Sequence, residues 1–309
     1  MAFSELALLG PVWLVPCCLF VFMVGACFGS FVNCFAWRSQ NNASILGGRS
    51  HCTSCGACLG LLDLIPVFSW LFLRGRCRHC GASVAARYMV TELLSGFYFL
   101  SIFVYYGATV HCLALWALGC ILLGLSLCDY ESFIIPNGCI LGIIALWVID
   151  IALSAVFPSE QFAVAAFPHV FAPLLGESLL AVAVEGVVAS ALITAFMLVM
   201  TVLVSKRTGA DSMGGGDLKL FFCVSLFLGL CGSFLNLILS CLIGLIFGAL
   251  FKTRFANDCG EASVKAKRFD KEIEPLPGKA FPFGPSIALG TWLTLLLGPA
   301  AVGAYLTLL

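Results

Sequence analysis

An all-α polytopic membrane protein of about eight transmembrane helices is the fold class this chain predicts, on three observations. Of its 309 residues, 61% are hydrophobic and 10% are charged, where a soluble domain carries roughly a quarter charged. The apolar residues fall in runs of about twenty, the length that crosses roughly 30 Å of hydrocarbon at 1.5 Å per residue. All sixteen Lys and Arg residues sit in loops that eight spans place on one side of a bilayer. Net charge is zero, so no nucleic-acid partner is expected.

The spans, with soft ends, are roughly 11–36, 88–106, 110–128, 137–157, 179–204, 218–231, 233–251 and 284–308. The sixth and seventh are short and meet at Leu230-Cys231-Gly232, where a tight hairpin is expected. The first span follows only Glu5 and precedes Arg38, the reverse of a secretory signal. Cys27, in Val24-Gly25-Ala26-Cys27, is therefore an ordinary residue of a retained helix. Arg38, Arg49, Arg74, Arg76, Arg78 and Arg87 lie between spans one and two. Lys206, Arg207 and Lys219 lie between or at the edges of spans five and six, and the remaining basic residues between seven and eight. The opposite loops contain none, so the positive-inside rule puts the basic loops in the cytoplasm and both termini outside. The stretch 157–178, with Pro158, Pro168 and Pro173, reads as an external loop or interfacial segment, and 252–280 as a solvated cytoplasmic loop. Three domains result: a first helix over 1–37, a cytoplasmic loop domain over 38–87, and a membrane domain with seven further helices over 88–309.

The loop domain has its own chemistry. Of seventeen cysteines, twelve are scattered through or beside apolar spans, where Cys behaves as a small hydrophobe. The other five are Cys52, Cys55, Cys58, Cys77 and Cys80. Cys52-Thr-Ser-Cys55 and Cys77-Arg-His-Cys80 are two CxxC knuckles, each followed by a glycine, Gly56 and Gly81, that permits a tight turn. Four thiolates in this pattern close a tetrahedron around a structural Zn²⁺, and a disulfide is disfavoured in the reducing cytoplasm. Cys58, His51 and His79 are spare ligands. Between the knuckles runs the apolar stretch Leu61 to Leu73, broken by Pro66 and too short to span. Asp63 within it is expected to cap the turn before Pro66.

Acids at a membrane edge are costly and mark candidate functional sites. Asp150, Glu177 and Glu185 are isolated and read as interfacial or packing residues. Asp129 ends span three, with Ile135-Pro136-Asn137 opening the next, and Asp217 starts span six in Met213-Gly214-Gly215-Gly216-Asp217-Leu218-Lys219. Glycines let a backbone approach closely, so Gly214 and Gly216, with Lys219, form a loop against which a substrate chain can lie. The topology puts both acids at one cytoplasmic depth. Two carboxylates sharing a proton can serve as general base and general acid on a peptide bond.

In motif order the chain resembles the type IV prepilin peptidases, which belong to the GxGD class of membrane aspartyl proteases. The matching residues are Gly29-Ser30-Phe31-Val32-Asn33 with Arg38, the two knuckles around Asp63-Leu64-Ile65-Pro66 and Ser69-Trp70, then Arg87-Tyr88 with Glu92-Leu93-Leu94. Asp129 with Ile135-Pro136-Asn137, the segment Met213 to Leu220, and Phe281-Pro282-Phe283-Gly284-Pro285 complete the series. The Pro that usually follows the family's first Arg is replaced by Ser39-Gln40, and 157–178 is longer than typical. The resemblance implies an enzyme of the bacterial inner membrane, active site and zinc loop facing the cytoplasm. Such an enzyme cleaves the basic leader of type IV prepilins or pseudopilins and N-methylates the new N-terminus from S-adenosylmethionine. It implies Asp129 and Asp217 as the protease pair and a methyltransferase in the first cytoplasmic region; no residue of that loop forms a methyl-donor fingerprint, and Arg38 and Glu92 are taken as candidate contacts there. The sequence sets no oligomeric state.

Two other classes compete. A transporter or channel with a zinc-stapled loop would use the two acids as ion ligands or proton relays, but would place them near the midplane of repeated halves; no repeat is visible. A non-catalytic scaffold for pilus or secretion assembly would need neither acid.

Overall fold

The structure, a computed structural model, describes residues 11–41, 44, 49–157, 179–208, 213–267 and 282–308. Apart from two isolated bridges, His51 with Cys58 and Arg76 with Ser83, its regular structure is helical. The helices are α1 (Pro11–Gln40), the short α2 (Phe68–Phe72), α3 (Arg87–Tyr106), α4 (Val110–Ser132), α5 (Asn137–Val156), α6 (Leu179–Thr208), α7 (Gly215–Lys267) and α8 (Gly284–Leu308). Six helices among the described residues are long and apolar enough to cross a membrane: α1, α3, α4, α5, α6 and the stretch Gly215–Leu250 of α7. The all-helical membrane architecture expected from composition is therefore present. Two compact units divide the chain, Met1–Leu127 and Cys128–Leu309.

In the first unit α1 and α3 approach closely because glycine removes the side chains between them. A Cβ on Gly25 would lie 2.8 Å from the Ser95 carbonyl oxygen, and one on Gly29 would lie 2.9 Å from Glu92 Cα. Small residues four apart are the usual device for drawing membrane helices together. Asn33 adds interhelical hydrogen bonds, its amide donating to the Thr91 hydroxyl and to the Tyr88 carbonyl at 3.3 Å. The Gly29 to Asn33 signature is thus one face of α1 set against α3. Tyr98 donates to the Leu115 carbonyl at 2.7 Å, and Trp116 donates to that of Phe99 at 3.0 Å, tying α3 to the first part of α4.

In the second unit α7 packs against α5, α6 and α8. Its expected break is displaced by one residue from Leu230-Cys231-Gly232: the backbone leaves helical geometry at Gly229, with φ 63° and ψ −171°. That φ suits glycine, which lacks the Cβ that forbids it elsewhere. The stretch 252–267, expected as loop, instead continues α7 to Lys267, while 268–281 and 158–178 lie outside the described residues. Asp150 and Glu185 are buried, which fits the packing role and excludes an exposed interfacial one; Glu177 lies outside the described residues.

Candidate active site and metal centre

Asp129 stands in the last turn of α4. That helix ends on Phe133, whose N–H reaches the Asp129 carbonyl at 2.9 Å and whose φ is 54°. A positive φ commonly ends a helix, but the residue is usually glycine; here a bulky side chain tolerates it. Ile135-Pro136-Asn137 then turns the chain into α5, with extended Pro136 as its N-cap. Asp217 sits in the first turn of α7, its N–H donating to the Gly214 carbonyl at 3.2 Å. The two segments fit together through glycine. A side chain at 216 would press on Ile135 at 3.2 Å, and Lys219 Nζ donates to Asn137 Oδ1 at 3.1 Å. Lys219 therefore ties the loop to the start of α5.

The two acids, 88 positions apart in the chain, come near enough for the charge of one to act on the other. Asp129 is 6% exposed, and its Oδ2 accepts the backbone N–H of Gly284 at 2.8 Å. A Cβ on Gly284 would lie 2.8 Å from that same oxygen. The first residue of α8 thus fixes one carboxylate oxygen of Asp129, and only glycine leaves room for it. Sequence reasoning quoted the Pro-Phe-Gly-Pro segment but gave Gly284 no role.

The knuckles of the first unit form two near-identical turns. Cys52 N–H reaches the Ala57 carbonyl at 2.9 Å and Gly56 N–H that of Cys52 at 2.9 Å; Cys77 and Gly81 repeat the pattern with Ala82 and Cys77 at 2.8 and 2.9 Å. Gly56 and Gly81 take φ of 70° and 71°, the turn glycines that the spacing required. The sulfurs of Cys52, Cys55, Cys77 and Cys80 all lie within 4.8 Å of one another, and those of Cys52 and Cys80 are 3.9 Å apart. A tetrahedron with metal–sulfur bonds of about 2.3 Å has edges of about 3.8 Å, so these four residues fit a metal ion. The peptide N–H groups of Cys55 and Ser54 bring the Cys52 thiol down to about 6, while the neighbouring sulfurs of Cys55, Cys77 and Cys52 leave that of Cys80 raised to about 11. Cys58, His51 and His79 stand outside the cluster.

Asp63 caps its turn as expected, accepting Gly60 N–H at 3.1 Å. It also pairs with Arg78 of the second knuckle at 2.7 Å, a contact the sequence did not suggest. The Gly60 N–H, then Arg78, hold its carboxyl below the ordinary carboxylate value. Arg38 and Glu92 line one cavity of the same unit.

These features define a class: a multi-pass helical membrane protein with paired carboxylates at helix ends and a four-thiol knuckle domain. Residues 23–106 match the Bacterial Peptidase A24 N-terminal domain and residues 116–249 match the Type IV leader peptidase family. The chain belongs to this leader peptidase family. Among its relatives is the "Prepilin leader peptidase/N-methyltransferase" of Bacillus subtilis, 26% identical over 93% of this chain and 96% of the relative. A protein of the same name from Aeromonas salmonicida is 28% identical over 84% of this chain and 75% of the relative. A third, from Myxococcus xanthus, is 37% identical, but the match spans 41% of this chain and 37% of that relative. No solved structure matches the chain. The transporter and scaffold alternatives find no support in these matches.

Proposed function

We propose that this protein is a membrane aspartyl peptidase that removes the leader of type IV prepilins or pseudopilins at the cytoplasmic membrane face and then N-methylates the new N-terminus. The observation that carries the proposal is the coupled pair of Asp129 and Asp217, with Gly284 N–H holding one of their oxygens. One carboxylate takes a proton from water as that water attacks the scissile carbonyl. The other gives a proton to the carbonyl oxygen and, as the intermediate collapses, the leaving amine is protonated in turn. A substrate helix whose basic leader stays in the cytoplasm presents its cleavage point at the depth of these helix ends. S-adenosylmethionine, when bound, supplies an electrophilic methyl group. Cys52, Cys55, Cys77 and Cys80 would hold a structural Zn²⁺.

Eight spans suit this function. The 36-residue stretch Gly215–Leu250 is about 54 Å long as helix, far more than a hydrocarbon core of about 30 Å. Divided at Gly229 it supplies two spans, and α8 with its 25 residues supplies another. The basic loops then face the cytoplasm. Cysteine labelling on a background without reactive thiols should find 252–280 shielded from an external reagent and 157–178 labelled. The reverse pattern would refute this orientation.

The activity is tested by incubating purified protein with a prepilin and S-adenosylmethionine in lipid. The mature chain should appear shortened by its leader and heavier by a methyl group. An intact prepilin after prolonged incubation with well-inserted protein would reject the peptidase.

A further inference from the structure

The apolar segment between the two knuckles turns large side chains away from the protein. Leu61 is 86% exposed and Phe72 83%, and Leu62, Phe68 and Leu71 are exposed as well. Phe68, Leu71 and Phe72, three and four positions apart, share one face of α2. The rings of Phe68 and Phe72 stack there with centroids 6.5 Å apart. An exposed apolar patch of this kind marks an interaction surface. Arg74 and Arg76 follow it in the chain and are exposed; among the described residues no acid pairs with either.

The depth of the patch points to what covers it. With 20 residues, α3 is about 30 Å long, the thickness of a hydrocarbon core. Its first residue, Arg87, thus stands at the membrane edge, and Glu92 lies about 7.5 Å inside that edge. The Glu92 carboxylate accepts Val67 N–H at 2.7 Å, and the Ser30 side chain also bonds to it. Ser30 is itself ten residues short of the end of α1 at Gln40. After α1 and the first knuckle, then, the chain returns at Val67 to the level of Ser30 and Glu92.

The backbone at the point of return is unusual. Val67 has φ 65° and ψ −54°, and Phe68 N–H closes a three-residue turn onto the Pro66 carbonyl at 2.7 Å. This turn is strained, above all for a β-branched residue. Strain of that kind persists where surrounding contacts over-determine it, and the bond to Glu92 is such a contact. The turn starts α2 at this depth.

We propose that the knuckle domain docks on the lipid bilayer itself. Phe68, Leu71 and Phe72, with Leu61 and Leu62, enter the acyl chains of the near leaflet, and Arg74 and Arg76 meet anionic phospholipid headgroups. An interfacial helix buries its apolar face about 5–10 Å into the boundary between headgroups and acyl chains, the depth at which the Glu92 bond starts α2. Exposed arginines beside such a helix are drawn to anionic lipid. The leaflet then holds the knuckle domain against the ends of α1 and α3. The proposal needs α1 and α3 to span the membrane and is independent of which face the loop occupies.

Photocrosslinking in the full-length protein tests this, in vesicles of phosphatidylcholine and phosphatidylglycerol in equal parts. After irradiation of Phe72→benzoylphenylalanine, the peptide carrying position 72 should gain the mass of one phospholipid. His79→benzoylphenylalanine, on the second knuckle, should give at least about fivefold less of that adduct. Phosphatidylglycerol should be enriched at least about threefold among the adducts at position 72, and adding Arg74→Gln with Arg76→Gln should return it to the bulk proportion. Elution profile and metal content report whether each variant folds. If Phe72→benzoylphenylalanine does not fold, Leu61→benzoylphenylalanine takes its place. Crosslinks to a peptide of this chain or of a second copy in place of lipid, equal adducts at both positions, or no adduct in the folded variants overturn the docking. Adducts in the bulk lipid proportion with both arginines present overturn their part in it.

Discussion

Asp129→Asn and Asp217→Asn should each lower leader cleavage by at least about a thousandfold, because groups that act as one unit fail together. An amide neither accepts nor donates the shared proton, while its size leaves the helix ends undisturbed. The double variant should be scarcely worse than either single one. Gly284→Ala should approach the same loss without altering a carboxylate, since the added methyl group would meet Asp129 Oδ2 at 2.8 Å. Glu131→Gln is the control; the residue lies two positions from Asp129 and outside the proposed pair, so most activity should remain. The assay reads the mass of the mature chain after incubation with a prepilin in lipid. Methylation of an already cleaved pilin is scored separately and should survive in both Asn variants. Full cleavage by both Asn variants would remove the protease assignment and reopen the transporter and scaffold readings.

The second large effect concerns the metal. Purified protein should contain about one zinc, and a double Cys→Ser change in either knuckle should release it. Each knuckle offers two thiolates to the ion that the two would share. A loop this small folds largely on metal binding, so methylation should fall below a tenth of its initial rate while cleavage persists. Acid should act in the same direction. Thiolates must protonate to release the ion, so zinc should be held at pH 7 and lost below about pH 5. Asp63 adds a smaller contribution of the same sign. Its carboxyl is held below the unfolded value of about 3.9 by Gly60 N–H and Arg78. Its support is therefore complete above that value and disappears as pH falls through the lowered one. Elemental analysis across a pH series, with cleavage and methylation measured on the same samples, reads both. A full complement of zinc after the Cys→Ser changes would discard the four-thiol site.

The helices were legible because the bilayer allows few alternatives: a run of twenty apolar residues flanked by charge has one stable form there. The knuckles were legible too, since CxxC followed by glycine is a local pattern with a local turn. The Gly29 to Asn33 face and the fit of Gly216 against Ile135 were visible only as motif residues; which residue each glycine admits is a matter of packing between distant segments. Gly284 escaped a role because its partner lies 155 positions away and leaves no periodicity in the chain. The strained turn at Val67 had no signal either, for a valine at that position normally argues for extended backbone. The break in α7 fell at Gly229 rather than within Leu230-Cys231-Gly232 because hydropathy shows where a span thins, and the backbone angle shows which residue yields. The extension of α7 through 252–267 was masked by its charges, which say nothing against a helix that has left the apolar layer.

The hydrogen bond from Gly284 to Asp129 also bears on how the protein is made. The chain is synthesised from its N-terminus, so Asp129 emerges from the ribosome long before the residue that orients it. Three helices, α5, α6 and α7, must be threaded and docked in the interval. Throughout that time the growing polypeptide holds one acid, later two, without the amide that fixes the first. The first unit, complete at Leu127, has no such wait: its four clustered knuckle cysteines have all been synthesised by residue 80. Assembly therefore has an order: the knuckle cysteines of the first unit can gather early, and the Asp129 carboxylate is fixed only when α8 arrives.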